Sequence, residues 1–202
     1  AFAGLVTRVA PEAGFRVILR DGTRMIGQTD LPAEIDLMEI TAEPLTDGAH
    51  SINFVVIDLA GNFTIGSSLD IVIDTAAPNV PYLDLVAADD TGFLDYDNFT
   101  DVQDPRVTVT VSDTRDGGAN DIPNDIQYRI YDRPGTAGTN GEVLLIDSMV
   151  TQGGLSINGF FEEQLPTLAF GVHNLKLVAE DRAGNTREFL LNIVLDENAC
   201  NT

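Results

Sequence analysis

Residues 45–62 read LTDGAHSINFVVIDLAGN, and residues 168–185 read LAFGVHNLKLVAEDRAGN. Each stretch holds a turn, a histidine (His50, His173), an alternating apolar run and then Asp-x-Ala-Gly-Asn, starting at Asp58 and at Asp181. Each copy continues to a strand-like ending closed by an acid, Ile71-Val72-Ile73-Asp74 and Ile193-Val194-Leu195-Asp196. Asp58 and Asp181 stand 123 residues apart. Solenoid coils repeat every ~20–50 residues, so the repeating object here is a whole domain and the chain reads as a piece of a tandem array.

Working outward, apolar residues alternate with period two in Val107-Thr108-Val109-Thr110-Val111, Leu175-Lys176-Leu177-Val178-Ala179 and Ile52-Asn53-Phe54-Val55-Val56. Successive side chains of a strand point to opposite faces, so each run predicts a half-buried strand. Asp21-Gly22 predicts a two-residue hairpin joining 16–20 to 23–26, and Asp47-Gly48 and Ala183-Gly184-Asn185 supply further turns. Only 33–41 has a weakly helical composition, and its Ile35, Leu37 and Ile40 fit an irregular strand equally well. Many short strands with turns every ~8–12 residues predict an all-β chain of two antiparallel β-sandwiches. The boundaries expected are 1–75 for the first domain, its N-terminus clipped, 76–197 for the second, and a tail over 198–202. The second carries two polar inserts, 113–125 and 132–142, read as enlarged hairpin loops.

The 202 residues hold 11 Lys plus Arg against 32 Asp plus Glu, a net charge of −21. Such a surface repels nucleic acid and anionic lipid heads and attracts cations. The single cysteine, Cys200, has no partner within the chain, so no disulfide is expected. No apolar run reaches the ~18 residues of a spanning helix, and no charged-then-apolar leader opens the chain. Direct membrane insertion is therefore not expected.

Four phrases carry a resemblance: L-T-D-G-x-H at 45–50, D-x-A-G-N in both copies, I-D-T-x-A-P-x-x-P-x-L-D-L at 73–85 and D-D-T-G-x(4)-D-N-x-T at 89–100. Together they resemble the tandem bacterial immunoglobulin-like repeats of giant surface proteins, including large adhesins of the type I secretion class. The likeness covers 45–112 and 168–196 well and the remainder only as strand-turn rhythm. It departs in the two inserts and at Val102-Gln103-Asp104-Pro105, where a threonine-rich run is common. The resemblance implies immunoglobulin-like sandwiches, an extracellular or cell-surface location, neighbouring repeats of the same chain as partners, and calcium at the joints between units.

The residues make a case for calcium beside that resemblance. Asp74, Asp84, Asp89, Asp90, Asp95, Asp97, Asp101 and Asp104 crowd one stretch whose nearby base is Arg106. Two carboxylates ~4 Å apart repel by about 4 kcal/mol at an effective dielectric near 20, so converging aspartates protonate, splay into water or bind a hard cation. Calcium takes ~6–8 oxygen ligands. The pattern is not an EF-hand: with Asp95 first, Phe99, Thr100 and Arg106 occupy positions that need a ligand, a glycine and a closing glutamate. The glycine-rich 117–121 likewise misses the β-roll spacing and does not recur. The metal set expected at the joint is Asp58, Asn62, Asp74, Asp90, Asp97 and Asn98, against a plainer reading in which the aspartates form turns and keep the chain soluble. Asp181, Asn185 and Asp196 hold equivalent places without a following acidic loop, so any ion there would be weak.

His50 and His173 have no second histidine or cysteine nearby and read as strand-edge hydrogen bonders rather than transition-metal ligands. Glu162-Glu163 cannot face one scissile bond, because adjacent strand residues point to opposite faces. No nucleophile elbow, phosphate loop or dinucleotide fingerprint is present. The chain is therefore expected to be non-enzymatic: extender modules of an exported adhesin-like protein, stiffened by calcium. The alternative is a module that recognises glycan or protein through the loops of the second domain. A third is an accessory domain of a large hydrolase.

Overall fold

The chain divides between Asp74 and Thr75 into two units. The computed structural model describes residues 2–4, 14–31, 38–113, 126–134, 141–150 and 160–197, and every regular element among them is a strand.

Unit one contains β1 (Phe2–Gly4), β2 (Phe15–Asp21), β3 (Arg24–Leu31), β4 (Met38–Ile40), β5 (Gly48–Ile57), β6 (Phe63–Ile65) and β7 (Leu69–Ile73). One antiparallel sheet runs β3-β2-β5-β6, with β7 also pairing β5, and β1 pairs β4 separately. The hairpin expected at Asp21-Gly22 forms, but Asp21 belongs to β2 and pairs Arg24, so the two connecting residues are Gly22 and Thr23. A bulge between Leu19 and Arg20 takes up the one-residue shift. The end of 33–41 is strand β4, and 33–37 lie outside the described residues. Val17, Leu19, Ile26, Ile40 and Ile52 form the buried cluster, with Phe54 and Val56 packed against it. Ile52, Phe54 and Val56 thus share the face that their alternation demanded.

Unit two contains β8 (Tyr82–Leu85), β9 (Phe99–Thr100), β10 (Arg106–Thr110), β11 (Ile126–Pro134), β12 (Val143–Val150), β13 (Phe160–Gln164), β14 (Gly171–Glu180) and β15 (Thr186–Leu195). A three-stranded sheet, β13-β10-β8, faces a five-stranded sheet, β12-β11-β14-β15-β9. All the described pairings are antiparallel except the short β9–β15 contact. The core joins Val107, Val109 and Val111 from one sheet's run to Leu175, Leu177 and Ala179 from the other. Both alternating runs therefore point their apolar faces into one antiparallel sandwich. Most of the two inserts, 114–125 and 135–140, lies outside the described residues, as does Cys200.

The acids of the 86–98 loop and Asp113 lie at opposite ends of β10, which sets the distance between them. Tyr82 pairs Thr110, and Asn79 donates its backbone N–H to the Ser112 carbonyl at 3.0 Å, which fixes the N-terminal end. At the other end Leu85 pairs Val107, and Val86 and Asp90 continue the chain into the 86–98 loop. That loop is tied to the exit strand: Val194 N–H donates to the Asn98 carbonyl and Asp196 N–H to the Thr100 carbonyl, both at 2.9 Å.

Candidate metal centre

The repeated Asp-x-Ala-Gly-Asn phrase is a self-satisfied turn. Asn62 donates its backbone N–H (2.8 Å) and its side-chain amide (2.7 Å) to the Asp58 carboxylate, and the Asp58 N–H returns a bond to the Asn62 carbonyl at 2.9 Å. In unit two Asn185 does the same for Asp181, at 2.9 Å through both its amides, with Ala183 N–H adding a third donor at 2.8 Å. The glycine between them has φ 88° at Gly61 and 91° at Gly184, a backbone region that side chains resist. The donors from Asn62 hold the Asp58 carboxyl below its ordinary range.

The two histidines repeat a second device. His50 Nδ1 lies 2.7 Å from Asp21 Oδ2 and its Nε2 lies 2.7 Å from the Thr46 carbonyl. His173 Nδ1 lies 2.7 Å from Asp132 Oδ2 and its Nε2 lies 2.7 Å from the Ala169 carbonyl. In each unit the ring thus bridges an acid on a neighbouring strand and a carbonyl four residues back. At His50 acceptor oxygens face both ring nitrogens, an arrangement that favours the doubly donating imidazolium. The Asp21 carboxylate and then the Thr46 carbonyl raise the pKa of His50, and Asp21 is held low in return. Hydrogen bonding is therefore the role of both histidines, as expected, while the strand-edge placement is revised for His173, which pairs Pro134 on one side and Ile193 on the other and is 6% exposed, its Asp132 partner 4%.

The acid-rich stretch sorts itself by donors. Asp89 takes Arg106 through Nε (3.0 Å) and Nη2 (2.9 Å) and its backbone N–H (2.8 Å), which holds its carboxyl low. Asp84 accepts from Tyr82 Oη at 2.7 Å, and Asp101 accepts from Thr91 Oγ1 at 2.7 Å. Asp90 differs. It is 5% exposed, its Oδ2 accepts the Asn98 N–H at 3.1 Å, and its Oδ1 is buried without a hydrogen-bond partner. Burial pushes its carboxyl up, and the facing carboxylate of Asp97 pushes it further against the help of the Asn98 and Phe99 N–H groups. Asn98 has φ 61°, and its Oδ1 is likewise buried without a donor.

The six expected ligands do not form one set. Asp58 follows the last residue of β5, whereas Asp74 follows Ile73, which pairs Gly48 at the first residue of β5. A ten-residue strand separates them by roughly 30 Å, because each residue rises ~3.3 Å. Asp58 and Asn62 bond each other in the turn at that far end of β5. Asp90, Asp97 and Asn98 do come together, in the 86–98 loop. Within unit two this loop lies beyond the Arg106 end of β10, while Asn79 marks the Ser112 end, roughly 20 Å away along the strand. Sequence continuity suggested convergence; strand length prevents it.

At the Ser112 end, the carboxylates of Asp113 and Asp181 approach to within 4.8 Å. The expectation for Asp181 named Asn185 and Asp196 instead, but Asp196 stands at the opposite end of β15. No spacing rule pointed to Asp113, because its partner stands 68 residues later in the chain. Both residues offer only oxygen, and a carboxylate has about four acceptor sites, so Asp181 retains capacity beyond its turn donors. Such a pair suits a hard cation. Glu162 and Glu163 point apart as strand alternation requires: Glu162 meets Arg106 at 3.1 Å, and Glu163 accepts from the Tyr128 hydroxyl at 2.5 Å.

The chain matches no known family profile and no curated protein sequence. Among solved structures it is similar to the fibronectin(III)-like modules of Clostridium thermocellum CbhA, at 11% identity and a TM-score of 0.47, over 95% of this chain and 82% of that one. It is similar to a tetra-tandem repeat in the extending region of a large adhesion protein, at 15% identity and a TM-score of 0.39, over 96% of this chain and 45% of that one. It is also similar to the amphioxus IgVJ-C2 molecule, at 10% identity and a TM-score of 0.32, over 96% of each chain. The fold stands on its strand order and its core: an all-β chain of two successive units with immunoglobulin-like, antiparallel construction.

Proposed function

We propose that the chain is a pair of non-enzymatic extender modules from a secreted or cell-surface, adhesin-like bacterial protein, stiffened by calcium at the joint between units. The observation that carries this reading is recurrence at the level of side chains. The histidine bridge and the aspartate–asparagine turn occupy the same places in both units. A module built twice and joined in series adds length, and a net charge of −21 keeps such a chain soluble and self-repelling.

Calcium would act at the N-terminal end of unit two. Asp113 and Asp181, within 4.8 Å, repel by roughly 3.5 kcal/mol at an effective dielectric of about 20, and a divalent ion reverses the sign of that interaction. Asp74 is the acid that chain continuity delivers toward them, five residues before Asn79. A shared ion would restrict the relative motion that two domains otherwise enjoy.

Small-angle scattering with calcium and with chelator tests the reading. The expected result is a narrower, more extended distribution of dimensions with calcium, while circular dichroism stays β-type in both. Asp113→Asn with Asp74→Asn should give the chelated behaviour in calcium. Superimposable curves would overturn the stiffening role.

A further inference from the structure

We infer that Asp90, Asp97 and Asn98 form a separate site in the 86–98 loop for one hard divalent cation of the calcium class, held wholly by unit two. This goes beyond the joint ion and does not depend on it. The stretch is acidic, but acidity is not what marks it. Asp90 is 5% exposed, yet its Oδ1 has no hydrogen-bond donor, and the buried Asn98 Oδ1 has none either. These two oxygens belong to residues already linked by the Asn98 N–H bond to Asp90 Oδ2, at 3.1 Å. A buried acceptor left without a donor is costly, and a buried carboxylate facing a second one more so. Three other acids of the stretch show what a merely structural aspartate does here: Asp84, Asp89 and Asp101 each hold a side-chain donor.

The backbone is shaped to bring the second carboxylate in. A Cβ built on Gly92 would lie 2.5 Å from Asp97 Oδ1 and 2.8 Å from the Phe99 Cβ, so only glycine lets Asp97 lie against this turn. Asp97 takes long backbone bonds, 3.2 Å from both Leu94 N–H and Phe99 N–H, which orient it and leave lone pairs over. All three donors are oxygens, the ligand type of calcium, and water or loop carbonyls would complete the ~6–8 positions. The consequence reaches the exit strand, because the Asn98 carbonyl accepts Val194 N–H at 2.9 Å. An ion in the loop would fasten the β9–β15 pair.

Calcium titration of the 202-residue chain by calorimetry tests this, with terbium luminescence excited through tyrosine as the locating probe, since Tyr96 adjoins Asp97. The expected dissociation constant is of order 10⁻⁴–10⁻³ M, the range of extracellular modules. Asp90→Asn and Asp97→Asn should each remove this binding event, whereas Asp113→Asn, which addresses only the joint, should leave it in place. Tyr96→Phe should dim the terbium signal without changing calcium affinity. Should Asp90→Asn fail to fold, the less buried Asp97→Asn decides. Isotherms of Asp97→Asn that superimpose on the parent would overturn the site, as would a parent that shows no heat and no terbium signal. Loss of stiffening in Asp113→Asn with this binding retained would separate the two ions; its absence would count against the joint alone.

Discussion

Unit one and unit two share local devices but differ in depth. The histidine bridge of unit one uses an aspartate whose side chain is 21% exposed, while that of unit two uses one at 6%. Among the described residues, the buried cluster of unit one draws on the β3-β2-β5 sheet and β4, while that of unit two is closed between two sheets. The comparison separates two kinds of information. A turn or a bridge is dictated by residues close in sequence plus one neighbouring strand, so it repeats faithfully. How much that device is worth depends on what covers it, which differs between the units.

The largest effect should come from breaking the covered bridge. Asp132→Ala strands the buried His173 ring, leaving its Nδ1 without the acceptor it meets at 2.7 Å. Asp21→Ala should cost much less, because water reaches that pair and can replace the lost partner. Denaturant unfolding followed by residue-resolved amide signals from each unit would check this, and equal costs would erase the distinction in depth.

Core truncation sharpens the same contrast. Leu177→Ala, at a fully buried position between sheets, should cost about 3–4 kcal/mol, and Leu19→Ala, in the smaller cluster, about 2 kcal/mol. Each loss should appear in its own unit's transition.

The third effect should be equal in both units. Gly61→Ala and Gly184→Ala add a Cβ that meets nothing within 4 Å, so the cost is the backbone's alone, about 1–2 kcal/mol each. Matching shifts in the two melting transitions would confirm one turn used twice; unequal shifts would break the equivalence.

The smallest effect is that of pH on unit one. His50 has its pKa raised by Asp21, so its contribution is complete below about pH 6.5 and is lost as pH rises through the higher folded value. Asp21 has its pKa lowered, so its contribution is present above about pH 4 and is lost as pH falls through the folded value. Unit one should therefore be most stable between those limits, and His50→Gln should remove the decline on the alkaline side. A melting temperature of that variant with the parent's alkaline slope would show that another group is responsible.

The sequence by itself determined the all-β class, the doubled module, the strands around Val107, Leu175 and Ile52, and the turn chemistry of Asp58–Asn62 and Asp181–Asn185. Period-two alternation and glycine at positive φ are short-range facts, and a repeat over 123 residues needs no coordinates. It also put Asp90, Asp97 and Asn98 in one place, because eight residues within one loop cannot separate far. Only the tertiary structure decided that Asp58 and Asp74 occupy opposite ends of β5, that Asp113 meets Asp181, and that His50 and His173 find Asp21 and Asp132. Those relations depend on which strand neighbours which and in what register. A strand of ten residues carries its two ends roughly 30 Å apart, so acids that look adjacent along a chain part company, while others far apart in sequence converge wherever two strands end together.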